Sequence, residues 1–348
     1  MRRVFAILFI LVLAAALWVS YALYVPYRGF GGAGVFVDIP RGTSARGIAR
    51  LLAQQGVVRG RWPFILLVRW RTRPLQAGEY YFTQPDTAFQ VFDTLVAGRV
   101  FEISITVPEG FNTIQIGSLL EQNSLVTRKA FLDAARDISP IRDLSPNAPS
   151  VEGFLFPSTY EFPHHVTPER VIDAMTGQFR KHWGALTALD PAGETRTPLE
   201  IITLASLVES ETPKPEERPL VARVFLNRLK IGLPLQCDPT VIYALERAGA
   251  YTGALTSADL RFDSAYNTYH HQGLPPGPIA NPGEASLRAA LEPADVDYLY
   301  FVADTEGGHL FSRTLAEHNR NVARYRNLLR QQNGQENPSP ARKAQKEP

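Results

Sequence analysis

Residues 4–24, "VFAILFILVLAAALWVSYALY", contain no charged side chain. A helix of that length spans about 30 Å, the thickness of a bilayer core. Arg2 and Arg3 precede it. The positive-inside rule then keeps the short N-terminus in the cytoplasm and exports everything after it. A cleaved signal peptide has a shorter apolar region, about 7–15 residues. No clear small-x-small cleavage site follows before "VPYRGF". The expectation is an uncleaved single-pass anchor over 1–28, with Trp18, Tyr21 and Tyr24 at the outer interface.

The chain has 348 residues, which allows two or three domains. A formal charge of +2 gives no electrostatic case for nucleic acid as a partner. Cys237 is the one cysteine, so no intramolecular disulfide is possible. The histidines form no metal-ligand pattern with it. The tandem pairs His164/His165 and His270/His271 read as loop residues, and neither metal nor cofactor is expected.

A repeat follows the apolar segment. "VDIPRGTSARGIARLLAQQGVV" (37–58) aligns without a gap to "ITVPEGFNTIQIGSLLEQNSLV" (105–126). Pro40 and Gly42 match Pro108 and Gly110; Ile48, Leu51, Leu52 and Gln54 match Ile116, Leu119, Leu120 and Gln122. One register carries all of them. Each copy reads as a short strand, a Pro-x-Gly turn and a helix. The caps would be Thr43 or Ser44 in the first copy, Asn112 or Thr113 in the second. Between the copies, "AGEYYF" (77–82) and "FEISITV" (101–107) read as strands, and "PDTAFQVFDTLVAG" (85–98) as a capped helix closed by glycine. The βααβ order over 35–100 resembles a LysM-like module, a fold found in glycan-binding proteins. Residues 101–150 continue as a second strand–helix unit.

The remainder, 151–332, reads as a mainly helical domain with one β-hairpin, so the fold class is α+β. "VEGFLFPSTYEFP" (151–163) is aromatic and irregular. A long helix begins near Thr167, and "LDPAGETR" (189–196) is a linker. Thr197, Pro198 and Glu200 form a capping box for the next helix, with Ile201, Leu204, Ala205 and Val208 as its buried face. Asp238 reads as the N-cap of a later helix. The proline-rich stretch at 264–283 is a long loop, and such loops are usually functional. "DYLYFVADTEGGHLFS" (297–312) is a hairpin turning at Glu306-Gly307-Gly308, followed by a final helix and a tail of disordered composition over 333–348.

Glu209 and Glu211 end the capped helix. At 100° per residue they point roughly 160° apart. They cannot share one cleft while the helix persists, so only one of them can be chemical.

The strings "EGFLFPSTY", "LASLVESET", "VFLNRLKIGLPLQCDPTVIYAL", "AYNTYHHQGLPPGPIANPG" and "YLYFVADTEGGHLFSRTLAEHN" occur in that order. Together they resemble the YceG-like family of endolytic murein transglycosylases over residues 4–330. The resemblance implies an enzyme of the bacterial inner membrane whose catalytic domain faces the cell wall. It implies cleavage of nascent peptidoglycan strands between N-acetylmuramic acid and N-acetylglucosamine, leaving 1,6-anhydro ends and terminating elongation, with cell-wall synthases as protein partners. It also points to Glu209 as the acid/base, and to Glu152, Tyr160, Glu211, Gln236, Asp238, Thr240, Tyr266, Asn267 and Thr268 as candidates to line the glycan cleft. Cysteine at 237 departs from the small polar residue usual there. Two alternatives stay open. One is a glycan-binding scaffold without catalysis. The other is a hydrolytic muramidase, which needs a second carboxylate near the first; Glu216, Glu217 and Asp238 are the options nearby in sequence.

Overall fold

The structure is a computed structural model that describes residues 1–188 and 195–336, with side chains to 331. Most of the expected linker at 189–196, and the expected tail beyond Glu336, lie outside the described residues. Helix and strand are mixed, with about 49% helix. The chain divides into two compact units, residues 1–104 with 161–166, and 105–160 with the chain from 167 onward.

The first unit begins with α1 (Arg2–Tyr24), 23 residues long, whose apolar window is wholly unburied. By length and composition α1 can cross a membrane. β1 (Val35–Ile39), α2 (Ala45–Gln54), α3 (Arg61–Arg71), β2 (Gly78–Phe82) and α4 (Ala88–Ala97) follow. β1 and β2 pair antiparallel, Val35 opposite Phe82 and Ile39 opposite Gly78. Alternation along β1 turns Val37 and Ile39 inward, against Leu52, Phe64, Tyr80 and Phe92. The strand–helix–helix–strand order is present over 35–82. His164 lies in the returning segment of this unit; its ring stacks on Phe36 and its N–H donates to Glu79 Oε2 at 2.8 Å.

The second copy of the repeat supplies β3 (Ile103–Thr106) and α5 (Thr113–Gln122). Both copies turn on a glycine with positive φ, +82° at Gly42 and +79° at Gly110, where a side chain would be strained. Both helices are then capped, by Ser44 accepting from Gly47 N–H and by Asn112 accepting from Gln115 N–H. The repeat is therefore structural.

The second unit adds α6 (Arg128–Ala134), β4 (Thr159–Phe162), α7 (Pro168–Thr187), α8 (Pro198–Glu211), α9 (Arg218–Lys230), α10 (Asp238–Ala248), α11 (Glu284–Leu291), β5 (Tyr300–Ala303), β6 (His309–Ser312) and α12 (Leu315–Glu336). β3 pairs with β4, and β5 with β6 as an antiparallel hairpin. α8 carries the expected capping box at Thr197, Pro198 and Glu200. Its burial is wider than one face: every residue from Ile201 to Val208 is buried. A helix enclosed on all sides needs no polar stripe. α9, α10 and α11 all pack on it. Whatever projects from the last turn of α8 therefore enters the interior of this unit.

Candidate active site

The last turn of α8 delivers Glu209 and Glu211 into two different surroundings. Glu209 Oε1 accepts from Arg218 Nη2 at 2.9 Å, and Oε2 accepts from Gly283 N–H at 3.0 Å. Its side chain is 5% exposed and that of Arg218 6%. Glu109 also faces Arg218, at 3.6 Å. Burial pushes the Glu209 carboxyl upward, and the Gly283 N–H and the Arg218 cation oppose that shift without cancelling it. Both oxygens are engaged, one in a buried ion pair and one at the N-terminus of α11. This arrangement ties α8 to α9 and α11.

Glu211 has no ion-pair partner among the described residues. It lines a cavity of about 370 Å³ together with Arg228, Gln236, Asp238, Tyr269 and His309. Burial raises its pKa; the Cys237 thiol donates to it and Asp238 pushes it further up, while His309 and Arg228 pull down. The net direction is upward, toward the protonated form. The roughly 160° expected between the two glutamates is thus realised as two separate sites. Glu209, the expected acid/base, is engaged by Arg218 and Gly283 and borders a second cavity, of about 400 Å³, with Glu109, Asn112, Gln115 and Tyr243; Glu211 is desolvated without an ion-pair partner among the described residues.

Each wall of the cavity has a local cause. Arg228, on α9, donates Nε to Leu299 O and Nη1 to Leu235 O, at 2.8 and 2.6 Å. It thereby holds the chain before β5 and the segment before α10. Gln236 has φ +50°, a left-handed conformation that a non-glycine residue rarely adopts. That conformation sits in the cavity wall. Asp238 is not the cap expected of it. It is the first residue of α10 and makes no side-chain cap bond. Its Oδ1 instead accepts from Tyr269 O–H at 2.5 Å. His309, from β6, pairs through Nδ1 with Glu217 Oε2 at 2.7 Å. Burial raises Glu217, but the hydrogen bonds from His309 and Thr212 outweigh it and hold the carboxyl below its usual range.

Of the other expected cleft residues, Thr240, Asn267 and Thr268 are buried behind the wall. Thr268 Oγ1 accepts from Cys237 N–H at 3.0 Å and lies 2.9 Å from Thr240 Oγ1. Asn267 donates to Leu260 O and Phe262 O and accepts from Tyr269 N–H. These three hold the segment 236–238 against 264–269, so they position Gln236, Asp238 and Tyr269 without lining the cavity.

Glu152 lies elsewhere, fully buried. It accepts from the Thr113 N–H and hydroxyl, Tyr243 O–H and Asn281 Nδ2. Burial drives its pKa up to about 7 against those donors. Asn281 also donates to Phe111 O and accepts from Leu155 N–H. Together the pair joins three distant segments. Tyr266 packs on Tyr243 under Arg247, and Tyr160 donates to Phe156 O; neither lines the 370 Å³ cavity.

Arg228, Tyr269 and His309 were not singled out from the sequence. Arg228 sits on an ordinary amphipathic helix pattern, and His309 is marked only by its place after a Gly-Gly turn. Glu79, His164 and His165 bring ligand-type atoms within 4.8 Å of one another in the first unit, a juxtaposition across 85 residues that the sequence does not display. The cavity beside Glu211 offers one desolvated acid, one carboxylate bonded to a phenol, an amide and a cation. That set can give a proton to a leaving oxygen and take one from a hydroxyl.

The model of the YceG-like family matches residues 37–324. The chain belongs to the YceG-like family. An endolytic murein transglycosylase of Bacillus subtilis is 32% identical over 332 residues, covering 90% of this chain and 91% of that one. One from Streptococcus pneumoniae is 30% identical over 323 residues, covering 84% of this chain and 58% of that longer protein. The crystal structure of a YceG-like protein from Listeria monocytogenes superposes with a TM-score of 0.54 at 31% identity, covering 83% of this chain and 98% of that one. This YceG-like chain therefore aligns with the Bacillus relative over most of both lengths.

Proposed function

We propose that this chain is an endolytic murein transglycosylase with Glu211 as its single acid/base. The observation that carries the reading is the contrast on α8. Both carboxyls are desolvated and both border a cavity, but Glu209 is held by Arg218 and Gly283 whereas Glu211 has no ion-pair partner among the described residues. Relatives of that name, matched over most of the chain, supply the reaction class.

Protonated Glu211 donates to the glycosidic oxygen between N-acetylmuramic acid and N-acetylglucosamine, and the C1–O bond breaks. The resulting carboxylate takes the proton of the muramic C6 hydroxyl as that oxygen bonds to C1, closing the 1,6-anhydro ring. One residue serves in both steps and no water is consumed. Arg228, Gln236, Asp238 and Tyr269 bind the sugars beside it. Elongation of the strand ends there, with cell-wall synthases as the partners that made it.

α1 anchors the chain in the inner membrane with Arg2 and Arg3 inside, which leaves the cavity on the wall side. Residues 35–100 act as a LysM-like module that holds glycan, 101–150 as the connecting strand–helix unit and 151–332 as the catalytic domain.

A hydrolytic muramidase is favoured by one observation: Asp238 shares the cavity with Glu211 and could activate water. Mass spectrometry of sacculi digested by the purified chain separates the two. Anhydro-muramic ends support the transglycosylase, reducing ends the muramidase, and intact sacculi neither.

A further inference from the structure

We propose that α3 is an interfacial helix that lies against the anionic phospholipid headgroups beside the anchor α1. One face of α3 packs inward through Pro63, Phe64, Ile65 and Leu67. The opposite face exposes Trp62, Leu66 and Trp70, by 59%, 52% and 68%. These three recur every four residues, so they form one stripe along the helix. Tryptophan beside arginine, over an otherwise well-packed core, is the composition of a surface that meets lipid rather than water.

Two further observations name lipid as the occupant. The first is continuity with α1. A Cβ at Gly60, the N-cap of α3, would lie 3.5 Å from the Trp18 ring. Arg59 stacks over Tyr21, at 4.3 Å. At the other end, Phe89 joins Tyr24 to Trp70, with ring centroids 4.9 and 6.4 Å away. The stripe thus adjoins the C-terminal turns of α1, where Trp18, Tyr21 and Tyr24 supply the aromatic belt of a membrane interface. The second observation is charge. Between Asp38 and Glu79 there is no acidic residue and no lysine, but there are arginines at 41, 46, 50, 59, 61, 69, 71 and 73. Arg61, Arg69 and Arg71 lie on α3 itself, and all three are exposed. A cationic apolar stripe complements anionic headgroups over acyl chains.

The proposal rests on reading α1 as a membrane anchor, and the test separates the two. The full chain carrying Leu66→Cys is labelled with a thiol-reactive environment-sensitive fluorophore. Cys237 is buried and stays unlabelled in the folded protein. The labelled chain is placed in nanodiscs containing phosphatidylglycerol and brominated acyl chains. If α1 is not an anchor, the chain fails to enter the discs at all. If the proposal holds, the bromolipid quenches the label and aqueous iodide does not. The quenching is then lost when Trp62 and Trp70 are both changed to serine, and weakened in neutral phosphatidylcholine discs or at high salt. A label open to iodide in the discs overturns the proposal. So does one shielded from iodide yet unquenched by bromolipid, since that outcome assigns the stripe to a protein partner or a second copy.

Discussion

The two sides of the last turn of α8 differ in what they do with a buried carboxylate. On the Glu209 side the charge is neutralised by Arg218 and the second oxygen is taken by a helix N-terminus. On the Glu211 side no cation reaches ion-pair distance among the described residues, although both carboxyls border a cavity. One arrangement commits both carboxylate oxygens and joins three helices. The other leaves a carboxyl able to change its protonation state. Burial alone therefore does not distinguish the two carboxyls; their partners do.

The sharpest way to break this comparison is to neutralise each glutamate in turn. Glu211→Gln should lower the release of anhydro-muropeptides from sacculi by about 10²–10⁴-fold, the usual loss for a general acid/base, with its melting temperature held. Glu209→Gln should do the reverse. It leaves a buried guanidinium short of its counter-charge, which costs about 3–5 kcal/mol by thermal or urea unfolding, while the folded fraction keeps its turnover. A folded, inactive Glu209→Gln protein beside an active Glu211→Gln one would collapse the distinction.

Glu152 gives a third case, with many donors and no cation at bonding distance. Its carboxyl is raised to about 7 in the folded chain from an ordinary 4.5. The folded state therefore holds the proton more tightly than the unfolded state. The stability this contributes is fully present below about pH 4.5 and is lost as pH rises through 7, by at most about 3 kcal/mol. Urea unfolding across that range should show the decline, and Glu152→Gln should flatten it.

The smallest expected effect concerns tuning. Asp238 pushes Glu211 up and Arg228 pulls it down. Activity that needs protonated Glu211 fails as pH rises through its pKa. Asp238→Asn should move that alkaline limb to lower pH, and Arg228→Met should move it higher, each by about one unit or less. A limb that stays put in both variants would mean that another group controls it.

Much of the scaffold was legible in the chain. The 68-residue repeat, the capping box at Thr197 and the hairpin turn at Glu306 are set by local sequence, and each appears where local chemistry puts it. The angle between Glu209 and Glu211 was legible too, because it depends only on helix geometry. Which partners each of the two meets was not. That depends on Arg218, nine residues on and past two prolines, and on Gly283, 74 residues away. The width of burial around α8 was likewise invisible, since Thr203 and Ser206 break an apolar pattern yet are enclosed. Asp238 looked like a cap because its partner, Tyr269, lies 31 residues downstream.

Gln236 holds a left-handed backbone that glycine would adopt freely, and for other residues that conformation costs on the order of 1 kcal/mol. A lineage selected only for heat tolerance would drift to glycine at this position and gain from it. Such a lineage would lose a side chain that lines the same cavity as Glu211. Persistence of a side chain at 236 across thermophilic relatives would thus record how strongly sugar recognition is favoured over durability at a single residue.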